Sequence, residues 1–486
     1  MFSSQPKGLY NLCFTEMWER FGYYMVQTIF ILFLTQSMHY PQKQSDLLFG
    51  AFAGLLYVTP VIGGWLADNF LGFRRAIIFG AILLFIGYAV LMFHGMQTFR
   101  LGLAILITGN GFLKPNISSI VGDLYGDDEA KREGGFTLFY MGINLGSIIP
   151  PIIAGSVVGA WGWHYGFGLA AVGMILCLLN FSLGGRSIRS IGVVPKGSPL
   201  QKGGMHALRF NILLYLGTAV GIGLFYEGVT YAASTNWVII GAGVVFSLFV
   251  LYHLLKEDVS CRYKMVAALI LILLSIGFWA LYSESFTALT LFAAHNMDLH
   301  LLSFKITPEF TQFYNGFFII ALSPLFNAFW LYLDRYNLNP SIPLKFALGI
   351  GFMCLGYVFL TWATNGQFGH NGILSSWWLI GSYFLQTVGE LCLSPIGLAM
   401  ITVLAPKHLV GLMMGMWFFA LAGASSLSGM LAGLAAMPEH QSTISALAIY
   451  HHAFGMWSWM SAILVAISFV CYPLLKRMIA GPRLQR

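Results

Sequence analysis

The segment Glu16-Met-Trp-Glu-Arg-Phe-Gly-Tyr-Tyr24 decides how this chain is interpreted, because it places two acids and an arginine within five positions of an apolar run. Residues three and four apart share one face of a helix, so Glu16, Glu19 and Arg20 are expected to form one polar cluster. A charge at the centre of a bilayer costs roughly 3 kcal/mol on insertion scales, so such groups normally face a partner or a water-filled cavity. The segment predicts a membrane helix with a functional charge cluster; a neutralised pair at the membrane edge is the simpler alternative.

The composition assigns the chain to the membrane proteins. Of its 486 residues 58% are hydrophobic and 9% are charged, whereas a soluble domain has about 25% charged residues. The first apolar segment contains charges and does not match a cleavable signal peptide, so we expect it to remain in the mature protein. The six cysteines are scattered singly, so neither a disulfide framework, a metal site nor another cofactor is predicted.

Apolar runs of about 20 residues predict membrane-spanning helices. Fourteen such runs occur in the sequence, at 9–36, 46–70, 74–95, 98–123, 134–159, 163–184, 209–228, 233–255, 263–294, 308–333, 344–364, 375–404, 409–435 and 448–476. The predicted fold is therefore an all-α polytopic membrane protein that lies in the lipid bilayer.

The basic residues predict the orientation. With the N-terminus inside, twenty of the 25 lysines and arginines fall in cytoplasmic segments or the span edges beside them, three fall on the outer side in the same sense, and two lie deep within spans. Positive charge concentrates on the cytoplasmic side of membrane proteins. Both termini are thus predicted to be cytoplasmic, and the net charge of +7 reflects topology rather than nucleic-acid binding.

The chain divides into four predicted parts. A six-helix bundle occupies 1–184, a polar cytoplasmic linker 185–208, an inserted transmembrane hairpin 209–256 and a second six-helix bundle 257–486. A weak internal repeat supports the two bundles, since Gly87-Tyr88 in the first half is echoed by Gly356-Tyr357 in the second. Two parallel six-helix halves are a known transporter plan with the substrate held between them.

The turn after the second span, Gly64-Trp-Leu-Ala-Asp68-Asn-Phe-Leu-Gly72-Phe-Arg74-Arg75, resembles the signature loop of the major facilitator superfamily. Its glycines permit close helix approach, and its arginines suit the anionic inner membrane surface. The resemblance assigns this loop to conformational gating.

Lys114 lies about halfway along the fourth span, in Gly-Phe-Leu-Lys-Pro-Asn, and Asn144 lies in the fifth span, in Phe-Tyr-Met-Gly-Ile-Asn-Leu-Gly-Ser. Lys114 is too deep to extend easily to the interface, so a functional role is favoured. Asn144 could tie two helices together, or offer a donor and an acceptor to an amide ligand.

Together these motifs resemble the proton-coupled oligopeptide transporter family of the major facilitator superfamily, in its bacterial fourteen-helix form. In the second half, Phe278-Trp279 with Glu284, Gln-Phe-Tyr-Asn315, Gly-Glu390-Leu-Cys-Leu-Ser394-Pro and Trp417-Phe match further family segments. The resemblance implies a symporter in the bacterial inner membrane that imports di- and tripeptides by alternating access, with protons as the coupling ion, and that is a monomer.

The family also implies roles for individual residues. The peptide carboxylate would be held by Arg20 and Lys114, its ammonium by Glu390 with Ser394, and its amide by Asn144 and Asn315. The pockets for its side chains would be lined by Tyr24, Tyr57 and Trp417. Proton coupling is assigned to Glu16, Glu19, Arg20 and Glu284. The residues themselves add one pairing, because Lys114 is the only deep base besides Arg20 and Glu390 is therefore expected to face it as a partner.

One position departs from the family pattern, because Gln27 stands where the family usually has an arginine that pairs with the acid at Glu284. A proton-coupled carrier of nitrate, another small anion or a peptidomimetic is therefore an alternative, although Glu390 argues against an anion. A peptide receptor that does not transport is a second alternative. A membrane enzyme is not predicted, since we find neither a nucleophile with a base nor an H-E-x-x-H motif.

Overall fold

Almost every predicted span is a helix in the computed structural model of the protein, which describes residues 5–125, 129–301, 303–406, 408–438 and 441–480. In chain order the α-helices of these residues are α1 (Lys7–Leu32), α2 (Gln42–Leu66), α3 (Phe73–Leu91), α4 (Met96–Asp123), α5 (Glu129–Trp161), α6 (Trp163–Leu183), α7 (Pro199–Lys202), α8 (Gly204–Thr230), α9 (Ala232–Leu254), α10 (Val259–Ser283), α11 (Ala288–Asn296), α12 (Phe313–Arg335), α13 (Ile342–Ala363), α14 (Ser376–Leu404), α15 (Val410–Ala432) and α16 (Thr443–Ala480).

The span prediction is confirmed, and the spans fall into two groups that differ in how apolar they are. Twelve helical segments of the described residues are long and apolar enough to cross a membrane. The helices α1 and α4 do not meet that apolar criterion, yet they lie at the first and fourth predicted spans and complete the fourteen. These two helices carry Glu16, Glu19, Arg20 and Lys114, so the least apolar helices are the ones that hold the predicted site.

The ninth predicted span, 263–294, is not continuous. The helix α10 ends at Ser283, a 3₁₀ turn covers Glu284–Phe286, and α11 begins only at Ala288. Thr287 between them has a non-helical backbone. Broken helices in transporters are typical of ion and substrate sites, and this break falls on a predicted proton-coupling residue.

The structure separates into two units. Unit 1 comprises Met1–Tyr40 with Ala51–Thr235, and unit 2 comprises Pro41–Gly50 with Asn236–Arg486. The helix α8 packs on α4 within unit 1. The ring of Phe246 on α9 lies 5.0 Å from that of Phe419 on α15 within unit 2. The segment predicted as an inserted hairpin thus contributes one helix to each unit; its boundaries remain a prediction.

Each unit contains a tight helix crossing built on glycine. In unit 1, α3 crosses α4 so closely that a Cβ atom on Gly80 would lie 2.7 Å from the carbonyl oxygen of Gly109. In unit 2, α13 crosses α14 in the same manner, and a Cβ on Gly349 would lie 2.9 Å from the carbonyl oxygen of Gly389. Small residues at such crossings let backbones pack closely in membranes. The internal repeat expected from the sequence therefore has a physical counterpart in both units.

Short strands occur in unit 2 beside the helix ends. They are β1 (Met297–Asp298), β2 (His300–Leu301), β3 (Phe304–Lys305) and β4 (Leu374–Ser375). The strands β1 and β4 pair in parallel with Met297 opposite Leu374, and β2 pairs antiparallel with β3. These strands close loops and lie outside the helices that carry the site.

Candidate functional site

The charge cluster of α1 forms as predicted. Arg20 donates from Nε to Glu19 Oε2 at 2.5 Å and from Nη2 to Glu19 Oε1 at 2.7 Å, so the contact is bidentate. Arg20 Nε also lies 3.3 Å from Glu16 Oε1 one helical turn away. All three side chains are buried, with exposures of 3%, 1% and 4% for Glu16, Glu19 and Arg20. The alternative of a neutralised pair at the membrane edge does not account for this burial.

The cluster retains unused bonding capacity. Glu16 Oε2 is buried and has no hydrogen-bond partner among the described residues. A void of ≈ 10 Å³ beside Glu19 is lined in part by Tyr23, Tyr88 and Asn110, which is about the space that one water molecule occupies. Two carboxylates share one guanidinium, so the cluster can accept a proton without losing its last ion pair.

Lys114 belongs to the same half of the structure. Its Nζ lies 5.3 Å from the centroid of the Tyr57 ring, a cation–π contact, and it acts electrostatically on the carboxylates of α1. The approach of α2 to α4 is possible because Gly63 meets Gly111 without a side chain between them. Lys114, Tyr57 and the cluster of α1 therefore share one region of unit 1.

The contacts described for the other predicted substrate-binding residues of unit 1 are with residues of their own helices. Tyr24 is half-buried, with its ring edge-on to Tyr23 at 5.2 Å. Asn144 donates from Nδ2 to the Tyr140 carbonyl at 2.8 Å, which is a bond within its own helix α5. This bond does not tie two helices together. Close packing of α5 on α1 comes instead from glycine, since a Cβ on Gly142 would lie 2.8 Å from the Cys13 carbonyl oxygen.

The predicted gating loop is held by the linker that follows α6. Gly72 has φ +74°, a conformation that favours glycine. The Arg74 backbone N–H donates to Gly192 O at 3.1 Å, and Arg74 Nη1 donates to Arg189 O at 3.1 Å. Asp68 and Arg75 are exposed, and Gly64 makes ordinary contact with Pro115. The tight glycine of this segment is its neighbour Gly63.

The acid of the second half is held by polar side chains. Glu390 on α14 is 8% exposed, and its Oε2 accepts a bond of 2.9 Å from Asn315 Nδ2 on α12. Asn315 Nδ2 also donates to Thr387 Oγ1 at 3.1 Å, while its Oδ1 accepts from the Tyr282 hydroxyl at 3.0 Å. Asn315 therefore positions the carboxylate, and a bond from Asn315 to a peptide amide would have to replace one of these contacts.

Two further predicted residues lie near the same helix. Ser394 is half-buried one turn after Glu390 on α14. The Trp417 indole of α15 packs against Gly397, the next turn of α14, and is 4% exposed. Within unit 2, Glu390, Ser394 and Trp417 thus follow one face of α14. The predicted pairing of Glu390 with Lys114 stays a prediction from the sequence.

Glu284 lies at the break between α10 and α11 and is fully buried. The Ser428 hydroxyl donates to its Oε1 at 3.0 Å, and the Thr287 hydroxyl donates to its Oε2 at 3.1 Å. In the described part of unit 2 its donors are thus hydroxyl groups.

Two residues make contacts that the sequence analysis did not assign to them. Tyr282 bonds Asn315 and also lies within hydrogen-bonding reach of Glu390; its signal was a tyrosine two positions before Glu284. Tyr23 has its ring 4.9 Å below the Arg20 guanidinium. No group of three or more His, Cys, Asp or Glu side chains that could hold a metal ion occurs among the residues described.

Comparison with known proteins identifies the family of the chain. The sequence pattern of the POT family matches residues 74–450. Dipeptide and tripeptide permease A of Proteus mirabilis (strain HI4320) is 33% identical over 482 residues, which cover 98% of this chain and 96% of that protein. The same permease of Serratia proteamaculans (strain 568) is 34% identical over 480 residues, covering 98% and 92%.

Solved structures give the same result. A crystal structure of a variant of peptide transporter POT in complex with alafosfalin matches with a TM-score of 0.84 at 30% identity, covering 99% of this chain and 97% of that one. A POT family transporter in complex with 5-aminolevulinic acid matches with a TM-score of 0.84 at 27% identity, covering 98% of each chain. These matches confirm the predicted fold.

Proposed function

The chain belongs to the POT family, and we propose that it is a proton-coupled symporter, not an enzyme, that imports di- and tripeptides. Its similarity to dipeptide and tripeptide permeases over nearly the whole length of both proteins supports this function. A zwitterionic peptide carries a carboxylate at one end and an ammonium at the other. A carrier for such peptides needs buried groups of both signs.

The observation that carries the proposal is the division of charge between the two units. Unit 1 holds a buried guanidinium, Arg20, with Lys114 in the same region. Unit 2 holds a buried carboxylate, Glu390, whose donors among the described residues are neutral. Arg20 and Lys114 would bind the peptide carboxylate, and Glu390 with Ser394 would bind the ammonium. A carrier for nitrate would have no use for Glu390.

The α1 cluster supplies a mechanism for proton coupling. Arg20 is held by two carboxylates, so it is not available to a peptide carboxylate while both are ionised. A proton on Glu16 or Glu19 removes one of the competing charges and leaves the guanidinium with a single carboxylate, which a peptide carboxylate can then displace. Because hydrogen bonds between ionised partners are about twice as strong as neutral ones, this release changes the affinity for the peptide carboxylate substantially.

The remaining residues would shape the substrate and the cycle. Tyr24, Tyr57 and Trp417 would contact peptide side chains, since aromatic walls accept many shapes. Asn144 and Asn315 would bond the peptide amide. The loop from Gly64 to Arg75 would change its contact with the linker during alternating access, because Arg74 is held there by two backbone carbonyls.

The protein is a multi-pass membrane protein, and we place it in a bacterial inner membrane with both termini in the cytoplasm. We propose that it acts as a monomer and uses protons in place of any bound cofactor. Each charge that moves inward through 100 mV contributes about 2.3 kcal/mol, which is enough to drive accumulation.

The test is transport by the purified protein in liposomes. With an inside-negative potential and an inward proton gradient, the liposomes should accumulate labelled dialanine. Dissipating the proton gradient should stop accumulation while leaving exchange. If nitrate enters and no di- or tripeptide does, the protein is an anion carrier. If peptide binds in a thermal-shift assay but never enters, it is a receptor.

A further inference from the structure

A second buried carboxyl group lies close to Glu284 and has no role in the mechanism above. Asp46 is in the second turn of α2 and is fully buried. Neither of its carboxyl oxygens has a hydrogen-bond partner among the described residues. A buried ionised carboxylate without a partner is very costly, and such groups normally take up a proton instead.

Packing within unit 2 brings Asp46 to the break that carries Glu284. A Cβ on Gly429 of α15 would lie 2.6 Å from the backbone oxygen of Asp46, and the preceding residue, Ser428, donates to Glu284. The ring of Phe49, one turn after Asp46, lies 6.4 Å from that of Phe286. The charge of Asp46 acts on Glu284.

The groups around this pair offer no positive charge. Two buried phenols of neighbouring helices feel the charges of the pair, Tyr357 of α13 that of Glu284 and Tyr450 of α16 that of Asp46, while the Tyr357 hydroxyl donates to the Leu281 carbonyl at 2.7 Å. The Tyr450 hydroxyl is fully buried and also has no hydrogen-bond partner among the described residues. In the part of unit 2 that the structure describes, we find no Lys, Arg or His side chain acting on either carboxyl group.

We propose that Asp46 and Glu284 form a carboxyl pair that carries one transported proton in addition to the proton received by the α1 cluster. This inference rests on the proposed symport function. Two neighbouring buried carboxylates cannot both be ionised without a base, so the pair retains at least one proton. The transported proton is the second one, carried when both carboxyl groups are protonated; in the step that releases it, the O–H bond of one carboxyl group breaks, a water molecule takes the proton and the carboxylate keeps the electron pair. The apparent pKa values of two such interacting groups describe the pair and cannot be assigned to either residue alone.

The first experiment measures, for each variant in liposomes, the membrane potential at which net peptide transport reverses. This reversal potential gives the number of protons moved per peptide, which is then compared between variants. Asp46→Asn removes the titratable group and nearly keeps its shape, so it should move one proton fewer per peptide than the wild type. The matched control is Asp298→Asn, an exposed acid of β1 that bonds His300, which should leave the ratio unchanged. An unchanged ratio in Asp46→Asn overturns the proposal. Uptake that needs sodium and is lost in Asp46→Asn also overturns it, because the pair would then hold a metal cation.

The second experiment does not require transport. Infrared difference spectra of the detergent-solubilised protein at varied pH should show a protonated carboxyl band that is lost in Asp46→Asn and shifted in Glu284→Gln. A spectrum of Asp46→Asn identical to the wild type overturns the proposal even if peptide transport succeeds. If the wild type carries no peptide, the symport function fails, and this spectrum still decides whether Asp46 holds a proton. Asp46→Ser serves in both assays if the asparagine variant does not fold.

Discussion

Replacing Glu19 by glutamine should separate proton coupling from peptide movement. In the wild type Glu19 supplies both oxygens of the bidentate contact to Arg20, at 2.5 and 2.7 Å. Glutamine has nearly the same shape and keeps one acceptor oxygen, but it can neither carry the charge nor take up the proton. Arg20 would retain Glu16 at 3.3 Å as its remaining carboxylate.

The size of the effect follows from the burial of the pair. Removing one partner of a buried ion pair typically costs about 3–5 kcal/mol, and each 1.4 kcal/mol is about a tenfold change in an equilibrium constant. Because Glu16 remains as a partner, these values set an upper limit, and the equilibrium between the held and the released guanidinium would shift toward release by at most roughly 100-fold to 4,000-fold. The variant would resemble the protonated state at every pH.

The assay is paired uptake in liposomes. Gradient-driven accumulation of labelled dialanine by Glu19→Gln should fall to the level without a gradient, whereas counterflow exchange at equal pH should continue. The wild type should accumulate more peptide as the external pH falls, and Glu19→Gln should lose this dependence. Glu227→Gln is the matched control, because Glu227 lies exposed on α8 and undergoes the same chemical change.

The reasoning is refuted if Glu19→Gln accumulates peptide as the wild type does. It is also refuted if exchange and accumulation are lost together while the variant keeps the thermal stability of the wild type. In that case Glu19 would be needed for binding or for movement of the helices rather than for coupling.

Three further predictions follow from the two units. Glu390→Gln removes a charged hydrogen-bond partner of the peptide ammonium, which contributes about 1.5–3 kcal/mol. The affinity for dialanine in a thermal-shift titration should therefore fall about 10- to 150-fold. A dipeptide with an acetylated amino group should bind the variant and the wild type with similar affinity. Lys114→Gln should weaken binding of dialanine more than binding of its C-terminal amide, and equal losses would contradict a role at the carboxylate. Gly349→Ala should lower the free energy of unfolding by about 1–3 kcal/mol through overpacking of the α13–α14 crossing, whereas Gly351→Ala, whose added Cβ meets nothing within 4 Å, should leave the melting temperature unchanged.

The sequence predicted the spans and the α1 cluster well, for related reasons. Bilayer thickness fixes the length of an apolar run, and helix periodicity fixes which charges share a face. Both rules are local, so one sequence suffices. The same locality lets the depth of Lys114 within the fourth span predict a functional role for it, which stays a prediction.

The features that the sequence did not predict depend on contacts between distant segments. The break at Glu284 is held in part by Ser428, which is 144 positions away, and nothing in the apolar run 263–294 signals it. Asp46 begins the second predicted span and resembles an ordinary interfacial acid until packing shows its complete burial. For Asn144 the sequence leaves open a link between helices or a bond to an amide ligand, and its bond to Tyr140 depends on a side-chain conformation that the sequence does not specify.

The contact between Glu19 and Arg20 joins adjacent residues of a single helix. Its opening therefore needs side-chain rotation alone, and no interhelical distance has to change. Spin labels on neighbouring helices would report nothing when the proton arrives and would respond only to the later rearrangement of the helices. A vibrational or fluorescence signal from the guanidinium or its tyrosine neighbour would precede that response. The order of the two signals therefore shows at which step of the transport cycle the proton arrives.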